Sequence, residues 1–343
     1  MKRYSAYLAG IKIYRAQSCT SSSMPESTAP TIMATAGSSR LYDYAPAMKS
    51  APVILVIPSL INRATILDIS PEFSLVRWLV QQNIRPLLVD WGVPGQDERG
   101  MTISDYITRL QQFVPIIQQN NPARRCHLLG HCLGGNLALA LAATLPQHFS
   151  SLMLLSTPWD FHADSPALAR SATRMWQQLA PHLSQKDEQP PFIPAAMVQS
   201  LFALLQPQTV AEKFRQLALR SQSPERLQHF ARVESWLNHG VPLPAAVMRE
   251  LVEDWYGDNL PLRGAWRVNN QLIRPRTIKL PTLIAIPDED HIVPPASSAA
   301  LARQLPCATA WHVPLGHIGM IVSRRAKARV WRKLADWINH HTE

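Results

Sequence analysis

The chain has 343 residues, 46% of them hydrophobic, with 34 Lys and Arg against 24 Asp and Glu for a net charge of +10. That length supports one substantial core with an inserted subdomain, or two modest domains, and the composition excludes a fibrous or largely disordered chain. The positive charge suits contact with polyanions, but no zinc finger, helix-turn-helix or basic stripe with interleaved aromatics accompanies it, so nucleic acid is not an expected partner.

In chain order, residues 1–44 read as an N-terminal arm followed by a flexible linker, because residues 18–39 are rich in Ser, Thr, Ala and Pro. Lys12 and Arg15 interrupt the apolar stretch that a secretory signal would need. No run of about eighteen apolar residues exists, so no transmembrane segment and a soluble cytoplasmic location are expected.

Residues 45–160 alternate between strand and helix. Val53–Ile57 is an apolar strand ending at Pro58, Phe73–Gln82 reads as a helix, and Arg85–Asp90 as a second strand. Ile103–Gln119 has helical periodicity, with Asp105 as a first-turn charge. Cys126–Leu129 is the next strand, followed by a glycine-rich turn, a helix over Asn136–Ala143 and a strand over Ser151–Leu155. Such repeated units favour a parallel sheet. Residues 161–265 break the alternation and read as a helical cap, with helices at 165–179, 195–205, 210–219, 224–238 and 244–256. Residues 266–343 return to the first theme: strands Thr282–Ile286 and Ala308–Val313, a helix Ser297–Leu305 between them, and a final helix Ala328–His340. Much of the positive charge sits in residues 263–279 and 324–333.

The four cysteines, Cys19, Cys126, Cys132 and Cys307, are widely spaced and include no Cys-x-x-Cys. Neither a disulfide framework nor a metal site is expected from that spacing, and no cofactor is implied. Cys126 lies within a strand and reads as core, Cys19 falls in the linker, and Cys307 reads as structural.

Cys132 stands apart. Gly130-His-Cys-Leu-Gly134 follows a strand and precedes a helix, the setting of a nucleophile elbow. The order expected after such a nucleophile is acid, then histidine. Asp290, in Pro287–Pro294, and His317, in Pro314–Gly319, each follow a late strand and supply that order. Asp288 competes as the acid, and His291 and His131 as the base; His291 reads as a loop-holding residue, and His340 and His341 as solvated. The oxyanion donors are expected to be the backbone N–H of Leu133 and of a residue in Leu60–Asn62, with Ile61 preferred by position. These features together give an α/β-hydrolase fold with a mainly parallel sheet and an inserted helical cap.

Beyond the elbow, the sequence carries Asn62-Arg63 with Leu67-Asp-Ile69, Leu88-Val-Asp-Trp-Gly-Val-Pro94 and Met101–Ile107. Gly130–Gly135, Ser156–Phe161, Asp290–Pro295 and Gly316–Gly319 follow. Across roughly residues 45–342 this set resembles the polyhydroxyalkanoate synthases, above all the catalytic subunit of the two-component class III subgroup. The resemblance implies that Cys132 accepts a growing polyester as a thioester and that His317 activates its thiol. It also implies that Asp290 assists the histidine and helps activate the 3-hydroxyl of an incoming monomer. The implied substrate is an (R)-3-hydroxyacyl-CoA, foremost 3-hydroxybutyryl-CoA. The implied partners are a small helical subunit and a second copy of the chain, with association to polymer granules. A departure is Ala64-Thr65-Ile66, where the family tends to carry aromatic residues or proline. The rival readings are a polyester depolymerase or acyl-CoA thioesterase using the same three residues, and a noncatalytic granule-associated scaffold.

Overall fold

The computed structural model describes residues 29–122, 124–163, 166–183, 192–204, 214–215, 217–219 and 223–342, together with residue 11. Cys19, residues 18–28 of the expected linker and half of the expected helix at 210–219 lie outside the described residues.

The strands are β1 (Thr31–Ala36), β2 (Ser39–Asp43), β3 (Val53–Ile57), β4 (Arg85–Asp90), β5 (Cys126–His131) and β6 (Phe149–Leu155). Then come β7 (Phe192–Ile193), β8 (Leu243–Pro244), β9 (Arg267–Val268), β10 (Gln271–Leu272), β11 (Thr282–Pro287) and β12 (Ala308–Val313). Eight of them form one sheet in the order β1-β2-β4-β3-β5-β6-β11-β12. From β4 to β12 neighbouring strands run parallel, and β1 and β2 are antiparallel to their neighbours. A parallel sheet carries helices on both faces, so its strands read as unbroken apolar runs. All five residues of β3 are buried. Their side chains alternate between two cores, Leu55 and Ile57 packing on one face and Ile54 and Val56 on the other.

The chain between residues 29 and 43 differs from the expected linker. Thr31–Ala36 and Ser39–Asp43 pair as a hairpin, which closes at Gly37 with a φ of +57°. Small and β-branched residues accept an edge position, and a buried ion pair fixes the hairpin to the sheet. Arg85 Nη2 lies 2.5 Å from Asp43 Oδ2, with both side chains at most 2% exposed.

The helices follow the expected pattern with shifted ends. The first begins with a 3-10 turn at Pro71–Phe73 and resumes at Leu75–Gln81, because Ser74 intervenes as an N-cap whose Oγ accepts from Arg77 N–H. Ile103–Asn120 starts at a capping box: Thr102 Oγ1 accepts from Asp105 N–H, and Asp105 Oδ2 accepts from Thr102 N–H. The helix after β5 begins at Leu133, three residues before its expected start, and runs to Thr144. In the cap region lie Pro166–Leu183, Ala195–Leu204, Pro224–Asn238 and Ala245–Arg249, the last continuing as a π-helix over Glu250–Gly257. The final helix likewise opens as a π-helix, Lys327–Trp331, before Arg332–His340. Among the described residues, no helix is long and apolar enough to cross a membrane.

Candidate active site

The residues singled out in the sequence leave the C-terminal ends of parallel strands, the edge at which open α/β sheets place their sites. Cys132 follows β5 directly with φ +55° and ψ −130° and caps the helix Leu133–Thr144. A residue with a Cβ avoids that region, and such conformations persist only where the surroundings enforce them. Here Cys132 N–H donates to Leu155 O at 2.9 Å, and Gly135 N–H donates to Cys132 O at 2.8 Å. The turn is also packed too tightly for side chains. A Cβ on Gly134 would strike the carbonyls of Ile57 and Pro58, and one on Gly135 would strike the Thr157 side chain. This explains why both glycines enter the helix despite their low propensity for it. The sulfur is half-buried at a helix N-terminus, where negative charge is favoured.

His317 arrives from the loop after β12, and Asp290 from the loop after β11. His317 Nδ1 lies 2.8 Å from Asp290 Oδ2 and both side chains are buried. Asp290 Oδ1 accepts from the backbone N–H groups of Ile292 and Val293, each at 2.8 Å. With Nδ1 engaged by the carboxylate, the other ring nitrogen remains for Cys132, whose charge acts on the imidazole. Burial pulls the imidazole pKa down. Charge interactions with Asp290 first and Cys132 second outweigh it and push His317 up to about 10. Burial likewise opposes ionisation of Asp290. The His317 charge and the hydrogen bonds from His317, Ser156 and Val293 win and hold this carboxyl below its ordinary value.

The competing residues sit elsewhere. Asp288 Oδ1 pairs with His312 Nδ1 at 2.8 Å in an exposed position. His291 is exposed. His131 lies beneath the elbow with its ring centroid 5.1 Å from that of His317. Burial first, and the His317 charge second, push its pKa down to about 3. Cys126 is buried, which pushes its thiol up to about 12, and Cys307 is exposed. His340 is exposed, whereas His341 packs on Trp337 with ring centroids 4.2 Å apart.

Of the two expected oxyanion donors, Leu133 N–H belongs to the first helical residue, where no intrahelical acceptor exists. Ile61 N–H makes a long 3.3 Å bond to Ser59 Oγ. Among the described residues, no group of three His, Cys, Asp or Glu side chains is arranged to hold a metal ion.

Two further residues border the site without a role foreseen from sequence. Ser156, the first residue after β6, has a φ of +49°; its Oγ lies 2.7 Å from His317 Nδ1 and donates to Asp290 Oδ2. Its signals in the sequence are a polar residue at the end of the strand next to β5 and its place at the head of the Ser156–Phe161 segment. Tyr256 comes from the π-helix and packs edge-on against Phe161, with ring centroids 5.0 Å apart. Burial, with a smaller contribution from the Cys132 charge, raises its phenol pKa. The wider π turn that sets this ring's direction leaves no mark in the hydrophobic periodicity.

A family model described as the alpha/beta hydrolase fold matches residues 52–322. The chain is 27% identical over 296 residues to the poly(3-hydroxyalkanoate) polymerase subunit PhaC of Haloferax mediterranei, covering 84% of this chain and 59% of that protein. It is 28% identical over 307 residues to the protein of the same name from Synechocystis, covering 87% of this chain and 81% of that one. This chain thus spans less than two thirds of the first relative's length and about four fifths of the second's. Among solved structures, the monoacylglycerol lipase of Paleococcus ferrophilus aligns with a TM-score of 0.53 at 15% identity, over 85% of this chain and 96% of that one. That likeness is one of fold.

Proposed function

The chain belongs to the α/β-hydrolase fold family, and on that premise we propose that it is an acyltransferase of the polyhydroxyalkanoate synthase type, joining (R)-3-hydroxyacyl groups from CoA thioesters into a polyester. The observation that carries this reading is the cysteine held at a strained elbow, φ +55°, together with the buried His317–Asp290 pair at 2.8 Å, with the Cys132 charge acting on His317. Similarity to poly(3-hydroxyalkanoate) polymerase subunits over most of the chain supports the choice of substrate.

His317 receives the thiol proton of Cys132, and the thiolate attacks the acyl carbonyl of the CoA thioester. The resulting oxyanion is held by the N–H of Leu133 and by that of Ile61, which turns from Ser59 Oγ to do so. The carbon–sulfur bond to CoA breaks, and the CoA thiolate takes the proton back from His317. The acyl group now sits on Cys132 as a thioester, similar in bond energy to the one consumed. A 3-hydroxyl then attacks that thioester, giving its proton to His317 and forming an ester as the Cys132 sulfur departs. Asp290 holds the imidazole and its charge throughout. Polymerisation in place of hydrolysis requires that water be kept from the acyl-cysteine, a role suited to the helical cap. The same reading includes a small helical partner subunit, a homodimer and residence at polymer granules in the cytoplasm. 3-Hydroxybutyryl-CoA is the foremost monomer.

The test incubates the protein with (R)-3-hydroxybutyryl-CoA, with and without a co-expressed partner subunit, and follows CoA release together with acid-insoluble polyester. Polymer formation that disappears in Cys132→Ala is the expected result. CoA release yielding only free hydroxyacid would replace this reading by a thioesterase, and no turnover even with the partner would replace it by another substrate or a noncatalytic role.

A further inference from the structure

Ser156 is fully buried and directly follows β6 with a positive φ, in the left-handed region that a side chain with a Cβ disfavours. Glycine would adopt this conformation without strain, so a serine here keeps something that glycine lacks. Its backbone N–H donates to Ala285 O at 3.1 Å and ties it to β11, the strand that leads to Asp290. Its hydroxyl donates to Asp290 Oδ2 and sits 2.7 Å from His317 Nδ1, which is itself 2.8 Å from the same carboxylate oxygen. Three polar atoms from the segments that follow three different strands therefore close a triangle.

We infer that Ser156 is a positioning residue: its hydroxyl donates to Asp290 Oδ2, accepts a share of the His317 Nδ1–H, and so fixes the imidazole plane that faces Cys132. A single Nδ1–H···O bond leaves the ring free to pivot about that bond, and a second anchor removes the freedom. An ionised carboxylate offers about four acceptor sites. Those of Asp290 are met by the N–H of Ile292, the N–H of Val293, the Ser156 hydroxyl and His317. A carboxylate bonded on all sides cannot rotate away from the histidine. The strained backbone at residue 156 aims the hydroxyl into the triangle, and its bond to β11 keeps that direction. Ser156 also favours the ionised form of Asp290, since its hydrogen bond lowers that group's pKa.

The inference rests on Cys132 and His317 being the reacting pair, and its test needs no acyl substrate. Iodoacetamide alkylation of Cys132 in the full chain, read by mass spectrometry of the peptide that contains it, is followed from about pH 5 to about pH 10. In Ser156→Ala the rate at neutral pH is expected to fall about tenfold, the scale of one charge-assisted hydrogen bond. Its acid limb is expected to move to higher pH, because Asp290 loses a donor that keeps it ionised. Ser156→Gly removes the hydroxyl while relaxing the backbone, and should behave like the alanine variant; it also stands in for it if alanine prevents folding. Wild-type rate and pH profile in either variant would overturn the inference. So would a loss of thermal stability with an unchanged pH profile, which marks a merely structural serine. Polymer formation by the unmodified protein is measured alongside. If polymer forms but alkylation ignores Ser156, the positioning role fails and the proposed function stands. If alkylation responds as expected but no polymer forms, the positioning role stands and the proposed function fails.

Discussion

Cys132 and His317 carry the proposed chemistry, and each can be tested by a change of a few atoms. Replacing the sulfur of Cys132 with oxygen keeps the size and hydrogen bonding of the side chain but removes the soft, easily ionised nucleophile. Cys132→Ser is therefore expected to lower CoA release at least about a hundredfold while leaving the melting temperature within a few degrees. An acyl-enzyme resolved by mass spectrometry in the wild type and missing in the variant would agree; undiminished release would remove Cys132 from the mechanism. His317 allows a test by stability. Its pKa is raised from an ordinary 6.5 to about 10, so the folded state binds its proton more tightly than the unfolded chain does. The stabilisation is fully present below about pH 6.5 and is lost as pH rises toward 10. Thermal unfolding across that window should show a fall in melting temperature that is shallower in His317→Gln. Equal slopes in the two proteins would refute the ion-paired histidine.

At the scale of elements, the elbow and the N-terminal hairpin show two ways in which sequence fixes backbone. Around β5, glycine is demanded by neighbouring atoms: the carbonyls after β3 and the side chain of Thr157 occupy the space that a Cβ would need. The pattern Gly-x-Cys-x-Gly-Gly is readable in advance because those contacts recur wherever a strand turns sharply into a helix. The hairpin β1–β2 has no such local signature. Its Ser, Thr and Ala residues are those of a linker, and its place in the sheet depends on Asp43 meeting Arg85, 42 residues away. Removing one partner of a buried pair leaves the other charged and unsolvated. Asp43→Ala should lower unfolding stability by about 3–5 kcal/mol. Chemical denaturation would measure it, and a change under about 1 kcal/mol would mean that the hairpin contributes little to the fold.

At the scale of the whole molecule, the cap and the sheet meet close to the proposed oxyanion loop. Trp236 Nε1 donates to Arg63 O at 2.7 Å, and Arg63 Nε donates to His239 O at 3.1 Å. Both bonds join the cap helix Pro224–Asn238 and its end to the segment that follows Ile61. Trp236→Phe keeps the aromatic bulk and removes one of these bonds, worth about 1 kcal/mol. Amide exchange over residues 61–63 should quicken about fivefold, with the rate at the centre of the sheet unaltered. Unchanged exchange at residues 61–63 would show that the cap does not brace this loop.

The sequence alone determined the repeated strand–helix pattern, the parallel sheet that follows from it, and the chain order Cys132, Asp290, His317. Each is written locally, in apolar runs bounded by Gly and Pro or in the spacing of a turn. It did not determine that residues 31–43 join the sheet, because an edge strand is set by a distant partner rather than by its own composition. It preferred Asp290 to Asp288, two residues apart in one loop, by chain order and motif alone, without the contacts that distinguish them. The loop's fold sends one carboxylate to His317 and the other to the exposed His312. Ser156 and Tyr256 were decided by tertiary structure for the same reason. Their approach to His317 and Cys132 comes from strand ends and a π turn whose directions are set by packing between segments about a hundred or more residues apart.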